Sequence, residues 1–198
     1  MLKVGITGGI GSGKSVVART LQVLGIPVYF ADAAAKRLME TDESLKAAIQ
    51  AHFGEAAYLG QQLNRTWLAA QVFGQPDKIA LLNSLVHPVV IADGQRWMQL
   101  QTAPYVVKEA ALFFESGSAG DMDLIVGVYA PQALRIQRVM RRDGLGRQEV
   151  LSRMQQQLDE RMKMKLCDVV LQNDEQEMLL PQVLRLHQML LQKATEGL

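Results

Sequence analysis

The chain has a single cysteine, Cys167, so it can form no internal disulfide and no cysteine-built metal site. Its setting in an apolar run suits a small buried residue rather than a nucleophile. A lone thiol also suits a reducing compartment, and the cytoplasm is expected. Neither sign of charge is in excess: 21 Lys and Arg stand against 20 Asp and Glu, a formal net charge of +1. That balance leaves no footprint for nucleic acid or an anionic membrane surface, and neither partner is expected. No apolar run reaches the roughly 18 residues of a membrane span. The glycines from Gly8 to Gly13 interrupt any apolar stretch of a signal peptide. Internal repeats and low-complexity linkers are absent. What remains is 198 residues, 48% hydrophobic and 21% charged, the composition of one folded domain or of a domain with an embedded subdomain.

The hydrophobic pattern opens with a short buried strand, Leu2–Ile6, then a glycine-rich loop, a helix over Lys14–Leu24 stopped by Gly25, a strand at Ile26–Phe30 and an alanine-rich helix over Ala33–Glu40. This is the beginning of a parallel α/β sheet. From Asp42 to Gln101 no strand is evident. Helices are expected over Leu45–Phe53, Thr66–Phe73 and Lys78–Leu100, the last broken near His87-Pro88. Strand character returns at Tyr105–Lys108 and Leu124–Tyr129. A helix over Pro131–Arg142 ends at Gly144 and Gly146, and one charged helix spans Gln148–Lys165. A last strand lies at Val169–Leu171, before a terminal helix that Pro181 delays or kinks.

Gly8-Gly-Ile-Gly-Ser-Gly13-Lys14-Ser15 fits G-x-x-x-x-G-K-S in full, after a predicted strand and at the start of a predicted helix. Converging backbone amides on phosphate oxygens requires conformations that a Cβ resists, hence the glycines. The helix start adds unpaired N–H groups and a positive dipole end. Lys14 is placed to reach the β- and γ-phosphates and Ser15 to ligate Mg²⁺. No guanine-reading N-K-x-D motif occurs, and Asp143-Gly-Leu-Gly146 matches D-x-x-G without support. A small-molecule kinase is the physical reading. A nucleotide-binding module without phosphoryl transfer is the reading from another class.

Such a kinase needs a base, arginines for the transferring phosphate and a lid that excludes water. Asp32 follows the second strand, where a parallel sheet gathers its ligands, and can take a proton from a hydroxyl; as an N-cap it would serve the next helix instead. Arg138, Arg141, Arg142 and Arg147 surround a glycine break, as a phosphate-closing lid or a solvated basic face would have them.

Taken together, Thr7–Ser15, Ala31-Asp32, Leu63-Asn64-Arg65 with Leu68 and Val72-Phe73, His87-Pro88, Leu112-Phe-Phe-Glu115, Arg138 with Arg142-Asp143, Arg147, Gln157-Leu158 and Asp168 with Asn173 resemble the dephospho-coenzyme A kinase family over about residues 3–190. The resemblance implies a P-loop NTPase three-layer α/β fold with a parallel sheet, a helical substrate-binding insertion and a lid. It implies a core of about 1–41, 102–136 and 166–198, a substrate subdomain of about 42–101 and a lid of about 137–165. The implied reaction passes the ATP γ-phosphoryl group, with Mg²⁺, to the ribose 3′-hydroxyl of dephospho-coenzyme A. Carried over by position, Asp32 is the base, and Lys14 and Arg138 stabilise transferring charge. Gly9, Gly11, Ser12, Gly13, Lys14, Ser15, Val16 and Arg142 hold ATP, while Asp32, Asn64, Arg65, His87 and Glu115 face the acceptor. His87 reads equally as the pin of a helix bend, Asn64 as an N-cap and Glu115 as a loop brace. The chain departs from the family's pattern at Phe30, at Ala111 and around Asp174-Glu175, where a carboxylate, a proline and a glycine are usual.

Overall fold

The computed structural model describes residues 1–196 and divides into two compact units, Met1–Phe30 with Leu100 onward, and Ala31–Gln99. Residues 197 and 198 of the expected core lie outside the described residues.

The first unit is built on a parallel sheet of β1 (Leu2–Thr7), β2 (Val28–Phe30), β5 (Tyr105–Glu109), β6 (Leu124–Tyr129) and β7 (Val169–Gln172), in the order β2-β5-β1-β6-β7. Val4 stands opposite Val107 on one side and Leu124 on the other. The alternation of the strands divides the sheet's two faces. Val4, Ile6, Tyr105, Val107, Val126 and Val128 meet Val17 and Leu21 of α1 (Lys14–Val23) and Val183, Leu186 and Leu190 of α9 (Leu179–Glu196). Each such side chain contributes about 1.5–3 kcal/mol on burial. On the opposite face, Met164 of α8 (Glu160–Lys165) and Cys167 close over Gly127, while Phe113 and Met122 close over Gly5. The result is a three-layer α/β/α arrangement. Cys167 is half-buried, and burial pushes its thiol up to about 11. Pro181 sits in the first turn of α9, where its missing N–H costs nothing.

The expected single helix over Gln148–Lys165 is two helices, α7 (Arg147–Gln155) and α8, divided at residues 156–159. Asp159 caps α8 by accepting from the amides of Arg161 and Met162 at 3.0 and 3.1 Å. Leu158 gives its amide to Glu115 instead of to a helical carbonyl. Tertiary partners here override a pattern that reads as continuous. Ahead of them, α6 (Gln132–Asp143) ends at Gly144, whose φ is +69°.

The second unit lies in the chain between β2 and β5. It holds α2 (Ala31–Thr41), α3 (Glu43–Phe53), α4 (Arg65–Val72) and α5 (Pro76–Gln99). It also holds a hairpin, β3 (Tyr58–Leu59) against β4 (Gln62–Leu63), in a stretch expected to lack strands. These strands are two residues each, too short for an alternating pattern to show. Leu38, Leu45, Ile49, Leu68, Val86 and Val90 are buried in this unit. Tyr58 donates to the Met39 carbonyl at 2.7 Å; burial, with Glu40 and Glu43 nearby, pushes its hydroxyl up to about 12. The expected break at His87-Pro88 is absent: α5 is continuous across Pro88. Pro88 leaves the Ser84 carbonyl without its helical donor, but both residues are exposed and water can serve that carbonyl. Val86 and Val90 anchor the helix on either side.

Candidate active site

In this topology the strands reached after β1 lie on both sides of it, which makes its C-terminal end the crevice where ligands bind in open parallel sheets. The loop from Gly8 to Gly13 rises there, and α1 begins at Lys14. The loop glycines are sterically required, and Gly11 and Gly13 show why. Gly11 has φ +81°, and a Cβ on it would lie 2.5 Å from the Arg135 carbonyl oxygen; Gly13 has φ +98° and would press a Cβ into Asn173. The Val16 and Val17 amides donate to the Gly13 carbonyl at 2.9 and 3.3 Å, while the Lys14 and Ser15 amides precede the first helical acceptor and can donate to an anion.

Gly11, Gly13, Lys14, Ser15 and Val16 line a cavity of about 370 Å³ with Arg138 and Arg142 of α6. The loop and the two expected arginines are therefore brought together. The rest of the predicted loop, Gly9 and Ser12, is buried behind the cavity wall. Arg138 reaches the Asn173 side-chain oxygen at 3.5 Å and Glu175 at 3.2 Å, while its Nη1 is buried with no hydrogen bond among the described residues. Asn173 in turn donates to the Ser12 carbonyl at 2.8 Å. Arg142 is held in a two-pronged pair by Asp143 at 2.7 and 2.8 Å; that hydrogen bonding raises the guanidinium further above its ordinary value. Arg141 and Arg147 are exposed and do not line the cavity.

Sequence reasoning missed Glu109. The residue is 3% exposed, and its carboxylate accepts from the Ser15 hydroxyl at 3.2 Å and lies 3.6 Å from Lys14 Nζ through the same oxygen. The available signal was an acid ending the apolar run Tyr105-Val-Val-Lys-Glu109, at the ligand end of a parallel strand. Arg19, one helical turn beyond Ser15, also lines the cavity and was missed. Hydroxyl and carboxylate oxygens are the donor set that suits Mg²⁺, which takes few protein ligands and completes its shell with phosphates and water. Among the described residues no three His, Cys, Asp or Glu side chains gather to hold a metal unaided.

Glu115 is engaged as a brace. One of its oxygens accepts from the Leu158 amide at 2.7 Å and from Lys163 Nζ at 2.9 Å. Lys163 is fully buried and also donates to the Ala111 carbonyl at 2.7 Å. The remaining predicted residues belong to the second unit. Asp32 is exposed in the first turn of α2, which begins at Ala31, so it is not that helix's N-cap. Asn64 caps α4, accepting from the Trp67 amide at 3.2 Å and donating to the Ala56 carbonyl at 3.3 Å. Arg65 pairs with Glu40 at 3.0 Å on the surface, and His87 is half-buried in mid-α5.

The profile describing dephospho-CoA kinases matches residues 2–178. The chain is similar to a dephospho-CoA kinase of Bacteroides fragilis, 37% identical over 193 residues, which span 97% of this chain and 94% of that protein. It is similar to another from Salinibacter ruber, 42% identical over 179 residues, spanning 88% and 89%. Among solved structures, TT1252 from Thermus thermophilus superposes with a TM-score of 0.80 at 37% identity, covering 97% of each chain.

Proposed function

The chain belongs to the dephospho-CoA kinase family and is an ATP-using kinase of that kind, and from that premise we propose that its residues divide the reaction as follows. ATP lies with its phosphates against the loop from Gly9 to Val16, and dephospho-CoA is the acceptor. Asp32 takes the proton from the ribose 3′-hydroxyl as that oxygen attacks the γ-phosphorus and ADP departs, leaving coenzyme A. Lys14 and Arg138 neutralise charge on the transferring group. Ser15 and Glu109 hold Mg²⁺, which when bound neutralises charge on the phosphate oxygens. Residues 137–165 form a lid whose Arg138 and Arg142 close on ATP. The helical unit selects the acceptor, with Arg65 and His87 as contacts and Asn64 shaping the start of α4; Glu115 steadies the lid rather than the acceptor. The cytoplasm is the proposed compartment, on the single free thiol. Among the described residues no helix is long and apolar enough to cross a membrane.

The observation that carries this reading is the convergence of Lys14, Ser15, Arg138 and Arg142 on one cavity, with Glu109 held to both Lys14 and Ser15. The test is a coupled ADP-release assay with and without dephospho-CoA. Release that requires dephospho-CoA is expected. Release indifferent to it would leave only an ATPase or a kinase for another acceptor, and no release would leave a nucleotide-binding module.

A further inference from the structure

Two amides at the first corner of the phosphate loop are not available to phosphate. The Ile10 amide donates to Gln157 Oε1 at 2.9 Å, and the Gly9 amide donates to Glu160 Oε1 at 3.4 Å. Gln157 lies in the α7–α8 connection and Glu160 is the first residue of α8, both far away in sequence. The other oxygen of Glu160 meets Arg135 Nη1 at 3.3 Å, in a pair whose side chains are only 9% and 8% exposed. Arg135 also supplies the carbonyl that packs against Gly11. The first corner is thus clasped by α6 and α8 together.

A loop this rich in glycine samples many backbone states when unrestrained, and ordering it on ligand binding reduces affinity. Contacts that fix the loop beforehand remove part of that cost. We propose that Gln157, backed by the Glu160–Arg135 pair, is a positioning residue for nucleotide binding: it holds the Gly9–Ile10 corner in place, leaving Gly11 and Gly13–Ser15, which line the cavity, to the phosphates, and never touches the nucleotide. This rests on the reading of the loop as the ATP site. It also gives the lid segment a second task. The connection that carries Gln157 is tied through Leu158 and Lys163 to Glu115, so displacement of that segment loosens the phosphate loop.

The substitution to make is Gln157→Met, which keeps length and loses the acceptor; Glu160→Ala is avoided because it would strand a buried Arg135. Binding of a non-hydrolysable ATP analogue with Mg²⁺ is measured by titration calorimetry on the full chain. A rise in Kd of about 3- to 10-fold is expected, the worth of one neutral hydrogen bond, with kcat at saturating ATP nearly unchanged. Gln156→Met, an exposed neighbour on the same segment, should leave Kd unaltered. Wild-type binding together with an unchanged Kd in Gln157→Met, even with a lower melting temperature, overturns the positioning role. Failure of the wild-type chain itself to bind the analogue overturns the nucleotide reading and the proposal with it, and is visible separately. Amide exchange in the nucleotide-free wild-type chain gives a check that needs no variant: Ile10 should exchange slowly, and free exchange there overturns the clasp.

Discussion

At the scale of single residues, the chemistry divides between groups whose spacing announces them and groups that only folding assembles. Lys14 and Ser15 are legible because the loop's eight positions are contiguous. Glu109 is not, since an acid after an apolar strand also reads as the start of a surface turn. Lys14→Ala is expected to lower turnover on the order of 10²–10³ with an unchanged circular dichroism spectrum, because its side chain ends in a cavity rather than in packed core. Asp32→Asn should lower kcat on the order of 10²–10⁴ if it removes the base. Asp32 is exposed inside the first turn, so the urea midpoint should scarcely move; a fall in stability with normal turnover would return it to a structural role. Lys108 makes a different prediction. It is 2% exposed, its Nζ has no hydrogen bond among the described residues and stands 5.5 Å from the Phe113 ring centre. Burial lowers its pKa, with Asp121 offsetting part of the shift. The unfolded chain therefore binds the extra proton, and stability rises with pH from the lowered folded value up to the ordinary lysine value of about 10.4. Lys108→Met should abolish that slope relative to wild type, as read from urea melts across alkaline pH.

At the scale of elements, sequence patterning located helices well where one face is buried, and failed where side chains from elsewhere decide. The periodicity of α1 and α9 survives intact because their apolar faces meet the same sheet. The gap between α7 and α8 was illegible because its causes, Glu115 and the Gly9 and Ile10 amides, lie far off in the chain. Pro88 misled in the opposite sense, since a proline on an exposed helix face costs one hydrogen bond without forcing a stop. Asn64 carries an element-scale prediction. Its side chain holds both the first turn of α4 and the Ala56 carbonyl, so Asn64→Ala should cost about 0.5–2 kcal/mol in thermal or urea unfolding. Arg65→Ala, by contrast, removes an exposed pair with Glu40 and should barely alter stability. Its expected effect is a higher Michaelis constant for dephospho-CoA with that for ATP unchanged; equal changes in both would remove Arg65 from acceptor recognition.

At the scale of the whole molecule, a parallel α/β sheet was legible from the order of strands and helices and its three layers from the family resemblance, whereas the order in which the strands pair was not, because adjacency is decided between segments distant in sequence. The lid is the prediction that belongs here. Arg138 ends beside Asn173 and Glu175, and a planar guanidinium at that place can be worth on the order of 10³–10⁵ in turnover once water is excluded. Arg138→Lys should be severely impaired, since a point charge does not reproduce the fork. Hydrogen exchange over residues 138–150 should slow only with both substrates present; identical exchange in free and doubly liganded protein, with normal turnover by Arg138→Lys, would make the cluster a solvated face. The sheet order has a further consequence, for synthesis on the ribosome. Leu2 pairs with Tyr105 and Val4 with Leu124, so both neighbours of the first strand are made long after it. At about 5–20 residues per second, the apolar strand that will carry the phosphate loop waits roughly 5–20 s for a partner. The helical residues 31–99 emerge in that interval and can gather their own core, while β1 remains a candidate for chaperone capture until β5 arrives.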